Sequence, residues 1–461
     1  MTVTVVTPAP SGGRPYHSDR ARRGVRMAGP LALAGLGANS ANLVVTVVVA
    51  RLLSVRGYGS LNELVSVFLV LSMPGSALLV AVVRRVAAWE VVGLGDRVPD
   101  WARTVRRRGV AAAVVFAAVG WLAQGWVAGR LSLPSPAGVP ETLAAGAVWA
   151  LLCVERGLLQ SRLAYHRLAR NLAVEGAGRT VLTLGFVVAG WGVAGATGGL
   201  LGGVLCALVD ARRSARTTPA EVLVEASAPI EVAGAPPAAG GAAPLAAAAS
   251  TGTVSARDRR HLMTDLGVAL ASLALLAVLQ SADVVIVGRL SPGGIGAYAA
   301  VSVAAKALVF AALVLCGFLL PEAATRWKRG EHAIHELMVA LGVLAVPSAG
   351  LLLASMTFGR QLLSIVFGPR LTAAAPAFAP LVAAMWLLGT TVLLTHYLLG
   401  VGHRRIVGLL AAAAVAGVVV ITQGGGSPYA TAWRDLALQA ALAGVAASMV
   451  IAVHNPARRH P

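Results

Sequence analysis

The sequence is poor in charge. Only 12% of its residues are Asp, Glu, Lys or Arg, while 57% are hydrophobic. A soluble domain carries about twice that charged fraction, which excludes a soluble enzyme or signalling domain. Cysteine is scarce as well. Cys153, Cys206 and Cys316 all sit in apolar runs, a placement that fits small packing residues and excludes a disulfide framework or a thiolate metal cluster. The apolar runs do not alternate with polar residues, as the strands of a membrane barrel must. The formal charge of +19 comes without any nucleic-acid-binding motif, so no nucleic-acid partner is expected. Basic residues between apolar runs instead mark cytoplasmic loops.

What is present is a series of continuous apolar stretches, each long enough to cross about 30 Å of hydrocarbon. Spans are expected over 28–50, 61–83, 109–129, 142–160, 170–188 and 193–210, then over 264–288, 296–320, 335–357, 374–398, 404–422 and 430–453. With the N-terminus inside, the inner segments hold 28 Lys and Arg and the outer segments 7. That bias predicts two cytoplasmic termini and an even number of spans. The polar N-terminal stretch lacks the layout of a cleavable signal peptide and is expected to stay attached.

Residues 211–262 form one long internal loop. Its centre, "ASAPIEVAGAPPAAGGAAPLAAAAS", is rich in Ala, Pro and Gly and nearly free of charge, the composition of a flexible linker. The expected organisation is a tail over 1–27, six helices over 28–210, the linker over 211–262, six more helices over 263–453 and a tail over 454–461. One junction is written twice. "VVVARLLSVRGYGSL" (Val47–Leu61) and "VVIVGRLSPGGIGAY" (Val284–Tyr298) each end an apolar run with a small residue, Arg, Leu and Ser. Each then turns through glycines, Gly57 and Gly59 in one copy and Gly294 and Gly296 in the other. The two copies fall between the first and second spans of each half. The expected fold is therefore an all-α polytopic membrane protein of about 12 transmembrane helices in two pseudo-symmetric six-helix lobes, related by a parallel internal repeat.

These junctions resemble the segment after the first helix of each lobe in polysaccharide flippases of the multidrug/oligosaccharidyl-lipid/polysaccharide exporter superfamily. "FLLPEAATR" (Phe318–Arg326) is similar to the end of their eighth helix. "SIVFGPRLTAAAPAFAPL" (Ser364–Leu381) resembles the outer junction before the tenth helix, and "LLGVGHRR" (Leu398–Arg405) the turn after it. The resemblance implies a two-lobed, alternating-access transporter of the cytoplasmic membrane, with an undecaprenyl-pyrophosphate-linked oligosaccharide as cargo. Sister families carry a peptidoglycan precursor or export drugs.

A flippase for such a lipid must pass sugars and pyrophosphate across hydrocarbon, so it needs a polar cavity with cationic groups. Charge at membrane depth is costly and marks function. Lys306 lies about ten residues into its span, about 15 Å deep. It is a candidate to bind phosphate or to couple transport to protonation. The plainer alternative is a lysine that snorkels or pairs with a carboxylate on another helix. Arg179 is near mid-depth in the fifth span, and Glu175 precedes it on the same helix face. Either the two form a local ion pair, or Glu175 orients Arg179 toward the cavity. Arg156, next to Glu155, is a cavity candidate that could equally snorkel. Asp283, with Gln280, could line the cavity or cap a helix interface, and Glu63 lies at a similar height. The substrate-binding candidates are thus Lys306, Arg179, Arg156, Glu175 and Asp283. Pro74 with Gly75 suggests a bend in the second span, and Pro321 a kink or an end to the eighth.

His396 and His403 are isolated and lack metal-ligand spacing. No paired-carboxylate, Ser/His/Asp or Cys/His constellation is visible, so neither catalytic residues nor a metal are expected. No cofactor is implied, and coupling to protons, sodium ions or the membrane potential stays open. The partners implied are the bilayer and a lipid-linked saccharide, and the sequence names no glycosyltransferase or polymerase partner. Two rivals keep the membrane architecture: a cation-coupled drug exporter, which would want carboxylates at depth, and a non-transporting scaffold. A glycan polymerase or ligase would need a sizeable outer loop bearing acid, base or cationic groups, and the outer loops are short. Because loop closure costs little per added residue, shortening 225–250 should leave the amount of folded protein unchanged. Loss of folding after a modest deletion there, measured by size-exclusion chromatography in detergent, would show that the segment is structural.

Overall fold

A chain inside hydrocarbon must satisfy its backbone N–H and C=O groups within each segment, which makes these apolar runs helical. The computed structural model describes residue 37 and residues 41–91, 93–162, 164–216, 256–328 and 334–454. They form thirteen helices: α1 (Ala41–Leu52), α2 (Val55–Val91), α3 (Val98–Leu122), α4 (Gln124–Arg130), α5 (Val139–Ser161), α6 (Tyr165–Val188), α7 (Gly192–Arg216), α8 (Ala256–Leu290), α9 (Ile295–Lys328), α10 (Ile334–Phe367), α11 (Phe378–Gly400), α12 (Ile406–Thr422) and α13 (Pro428–His454). The protein is an all-helical, multi-pass membrane protein.

Eight helices are long and apolar enough to span by themselves, and α3 with α4 makes a ninth if the bent pair is one span. The other expected spans fall short for identifiable reasons. The described part of the first begins at Ala41, and α12 has only 17 residues. In α6, Asn171, Glu175 and Arg179 dilute the apolar run. The expected span 109–129 is two helices that meet at 65°, with Trp126 of α4 exposed. The expected linker is narrower than 211–262, because α7 continues to Arg216 and α8 begins at Ala256. Pro321 does not end α9, which runs on to Lys328. The side chains of 317–328 lie outside the described residues, as do those of the first eleven residues of α8. Gly75 serves close packing: a Cβ there would sit 2.7 Å from Trp149 Cδ1 on α5. A backbone distortion falls in α10, at Phe358 (φ −127, ψ 21), eleven residues after Pro347.

Helix α2 packs against α5 and α7, α5 against α3 and α7, and α6 against α7. In the second half of the chain α9 packs against α10 and α11, α11 against α13, and α12 against α8 and α13. Helix α2 also packs against α8 and α9, which joins the two sets. Helices α5 and α11 are the most enclosed spans, whereas α10 turns Val339, Val343, Val346, Leu353 and Met356 outward. The glycine-rich stretch that opens α7 is a packing device. A Cβ at Gly199 would lie 2.3 Å from the backbone nitrogen of Thr183, and one at Gly203 2.6 Å from Arg179 Cβ, so α6 and α7 touch backbone to backbone.

The two copies of the repeated junction meet. Ser54 caps α2, its Oγ accepting the Gly57 N–H at 3.1 Å. A Cβ at Gly296 would lie 1.9 Å from the Val55 carbonyl oxygen, and one at Gly59 2.4 Å from Ile295 Cγ2. Arg51, at the end of α1, donates to the carbonyls of Ile365 and Val366 at the end of α10. The Tyr58 ring lies 6.4 Å from that of Phe367. At this end of the bundle, here termed the junction end, the two sets of helices are in contact. Exposed Trp126, Trp191, Tyr429 and Trp433 ring it, while Trp89 and Trp101 pack edge to face near the opposite end, with Arg85 over Trp89. Two such aromatic belts suit two membrane interfaces.

Alanine normally stabilises a helix relative to glycine by about 1 kcal/mol. Gly296→Ala should do the reverse, lowering stability by about 1–3 kcal/mol through overpacking. Gly293→Ala, whose Cβ would meet nothing within 4 Å, should be nearly silent. Thermal unfolding of the two variants in detergent checks this.

Candidate functional site

Polar residues recur every fourth position on three of these helices, which puts each set on one face. On α9 the set is Tyr298, Ser302 and Lys306, and all three bond Asp283 of α8. The Tyr298 hydroxyl and Ser302 Oγ each donate to Asp283 Oδ2 at 3.1 Å, and Lys306 Nζ lies 3.2 Å from Oδ1. Asp283 is wholly buried and Lys306 nearly so. On α13 the set is Thr431, Asp435 and Gln439, all buried. Gln439 Nε2 donates to Asp435 Oδ1 at 3.1 Å, and Asp435 interacts electrostatically with both Asp283 and Lys306. Two buried acids therefore lie near a single ammonium, and Asp283 is the one within ion-pair distance of it. Asp435 Oδ2, Gln439 Oε1, Gln280 Nε2 and Thr431 Oγ1 have no hydrogen-bond partner among the described residues.

On α6 the set is Asn171, Glu175 and Arg179. Arg156 of α5 does not snorkel but is buried, with Nη2 2.6 Å from Glu175 Oε2 and Nε 2.8 Å from Asn171 Oδ1. Asn171 Nδ2 in turn donates to the Ala207 carbonyl at 2.7 Å and to Asp210 Oδ2 at 3.1 Å. Asp210 also accepts from Arg170 at 2.8 Å. One residue before Arg156, the buried Glu155 is clasped by both Nε and Nη2 of Arg106 at 2.7 Å, and Arg212 Nε lies 3.5 Å away. This network ties α3, α5, α6 and α7 together. Nearby and outside the spans, burial raises the Glu90 carboxyl above its ordinary range and Arg162 draws it partly back.

The five expected site residues thus separate. Lys306 and Asp283 come together as a pair. Arg156 and Glu175 form a second pair, so the local Glu175–Arg179 pair does not form. Of the three candidate cations, Arg179 alone has no acidic partner among the described residues. It shares its helix face with buried Leu172, Glu175 and Thr183, which turns it toward the bundle rather than outward. His396 is a packed histidine, its Nδ1 2.8 Å from the Val392 carbonyl. No group of three metal-ligating side chains occurs among the described residues.

Sequence reasoning missed Asp435, Gln439, Tyr298, Ser302 and Asn171. The four-residue polar spacing along apolar helices was the available signal. It is weaker than a lone charge because Thr, Ser and Tyr barely lower hydropathy.

No family model and no curated protein matches the chain. Solved structures do. An inward-facing multidrug resistance MATE family transporter of the MOP superfamily superposes with a TM-score of 0.68 at 11% identity, covering 91% of this chain and 98% of that one. The lipid II flippase MurJ, in an inward closed conformation, gives 0.67 at 9% identity over 91% and 87%. A MOP superfamily transporter from Pyrococcus furiosus, described by the reverse polarity of its binding pocket, gives 0.55 at 12% identity over 95% and 97%. At these identities the likeness establishes the fold, which is that of MOP superfamily transporters. These neighbours are transporters and flippases, not enzymes.

Breaking a buried ion pair on one side strands the other charge, at a cost of about 3–5 kcal/mol. Asp283→Asn should therefore destabilise the protein more than the double replacement Asp283→Asn with Lys306→Met. A double-mutant cycle on thermal unfolding gives the coupling. Equal destabilisation in single and double variants would mean that the pair does not hold α8 to α9.

Proposed function

We propose that the protein is an alternating-access transporter that moves an anionic lipid-linked saccharide, of the polyprenyl-pyrophosphate class, from the inner to the outer leaflet of the cytoplasmic membrane for polysaccharide biosynthesis. The observation that carries this reading is Arg179. A cation on an interior helix face, without an acidic partner while Arg156 and Lys306 each have one, is free to meet a phosphate. Arg179 is half-buried, and a charge-assisted hydrogen bond is about twice as strong as a neutral one. In this reading the working units are two six-helix lobes, with α1 to α7 in one and α8 to α13 in the other. The 28-to-7 distribution of Lys and Arg turns the junction end outward and both termini inward. The lobes rock so that the contact of the two junctions alternately forms and parts, and the lipid tail stays in the bilayer while the headgroup passes between them.

The cluster of Asp283, Asp435 and Lys306 supports coupling to a cation, since two carboxylates against one ammonium leave a negative charge for a proton or sodium ion to balance. The same cluster favours a second reading, a cation-coupled drug exporter, in which buried carboxylates would serve the transported ion. The likeness to MATE transporters fits that reading as well as the likeness to MurJ fits the first.

Reconstitution of the purified protein, with a polyprenyl-pyrophosphate saccharide loaded on one leaflet, separates them. Losing one charge-assisted bond of about 1.5–3 kcal/mol should cut flipping by Arg179→Gln about tenfold or more, with the amount of folded protein unchanged. Arg103→Gln, on an exposed side chain of α3, should flip normally. Undiminished flipping by Arg179→Gln removes Arg179 from the site. Proton-driven movement of a cationic dye, with the lipid left in place, selects the exporter.

A further inference from the structure

Glu63 of α2 is buried, 2% exposed, at the contact between α2 and α8. Its carboxyl group lies flat on the α8 backbone at Gly288, where an added Cβ would sit 2.2 Å from Glu63 Cδ. Only a residue without a side chain leaves room for it. No described residue gives Glu63 a hydrogen bond or an ion pair, and its Oε2 is without a partner. Among the described residues, the charged groups on the helices packed against α2 are engaged or lie elsewhere. Asp283 of α8 and Lys306 of α9 hold each other, and Glu155 and Arg156 of α5 have their own partners. Asp210 of α7 pairs with Arg170, while Arg212 of α7 reaches Glu155. Arg289 of α8 and Arg56 of α2 itself are exposed. Glu141, in the first turn of α5, adds no positive charge.

An ionised carboxylate in such a place would lack both water and a counter-ion, and the usual outcome is that the group takes up a proton. We propose that Glu63 is a proton-binding site whose occupancy is tied to closure of the junction end. With the junctions in contact, the neutral acid fits against Gly288. When α2 and α8 part, water reaches the carboxyl group and its proton leaves to that water; reclosure requires a proton to return. Acid therefore favours the closed junction and alkali the open one. A single linked proton changes the closed-to-open ratio by at most about tenfold per pH unit. The proposal rests on the alternating-access reading, but not on the identity of the cargo.

The test uses the full chain in lipid nanodiscs. Cys206, the exposed cysteine, is replaced by Cys206→Ala, and spin labels are placed at Trp126→Cys on α4 and Tyr429→Cys on α13, both exposed at the junction end. Pulsed electron resonance then reports the distance between them from pH 5 to 9. The expected result is a short-distance population that falls as pH rises, and that stays high at every pH in Glu63→Gln, which mimics the protonated acid. Two populations whose ratio ignores pH, or a pH response that survives Glu63→Gln, would overturn the role of Glu63 and leave alternating access standing. The first of these outcomes is read on the native glutamate alone, so it does not depend on the variant folding. One unchanging distance under all conditions would overturn the alternating motion itself.

Discussion

Charge placed in hydrocarbon must be answered by opposite charge, by hydrogen bonds or by water. The interior of this protein follows from that constraint. Glu155 is answered by Arg106 and Arg212, Arg156 by Glu175 and Asn171, and Asp283 by Lys306, Tyr298 and Ser302. Each set bridges different helices, so the same bonds that make the charges tolerable also fix how the helices sit. Isolated surface ion pairs contribute little, but these are enclosed, and removing one partner strands the other. Among the described residues, the groups left over include Arg179, Asp435 and Glu63. One is a cation on a bundle-facing surface, and two are acids with an unpartnered oxygen. A transporter needs groups of that kind, able to bind and release.

A second constraint acts where the halves meet. The repeated junctions pack with Gly59 and Gly296 against each other's backbone, leaving no space for a side chain. A contact with no side chain to repack has little intermediate ground between made and broken, which suits an element with two discrete states. Around it, Arg51 reaches the end of α10, and the Ser132 hydroxyl lies 3.4 Å from the Arg289 carbonyl. Glu63 sits within this seam, against Gly288 of α8.

The architecture was legible in the sequence because its signals are long and redundant. Twenty-residue apolar runs report an all-helical membrane protein, and the MOP-type fold agrees with that. The charges at depth were legible as positions but not as partners. Arg156 and Glu175 are 19 residues apart, and nothing local distinguishes that pair from the Glu175–Arg179 spacing that looked closer. Asp435 escaped notice because it lies only eight residues into its helix, where an acid reads as a helix-end residue. The glycines of α7 are what brings α6 and α7 into backbone contact.

We propose above all that the free cation of α6 serves an anionic lipid-linked cargo. The most direct measurement is a quantitative lipid analysis of cells with and without the gene, leaflet by leaflet. The account predicts that one polyprenyl-linked saccharide builds up on the inner leaflet when the protein is absent. Unchanged lipid-linked pools, together with heightened sensitivity to cationic drugs, would contradict it.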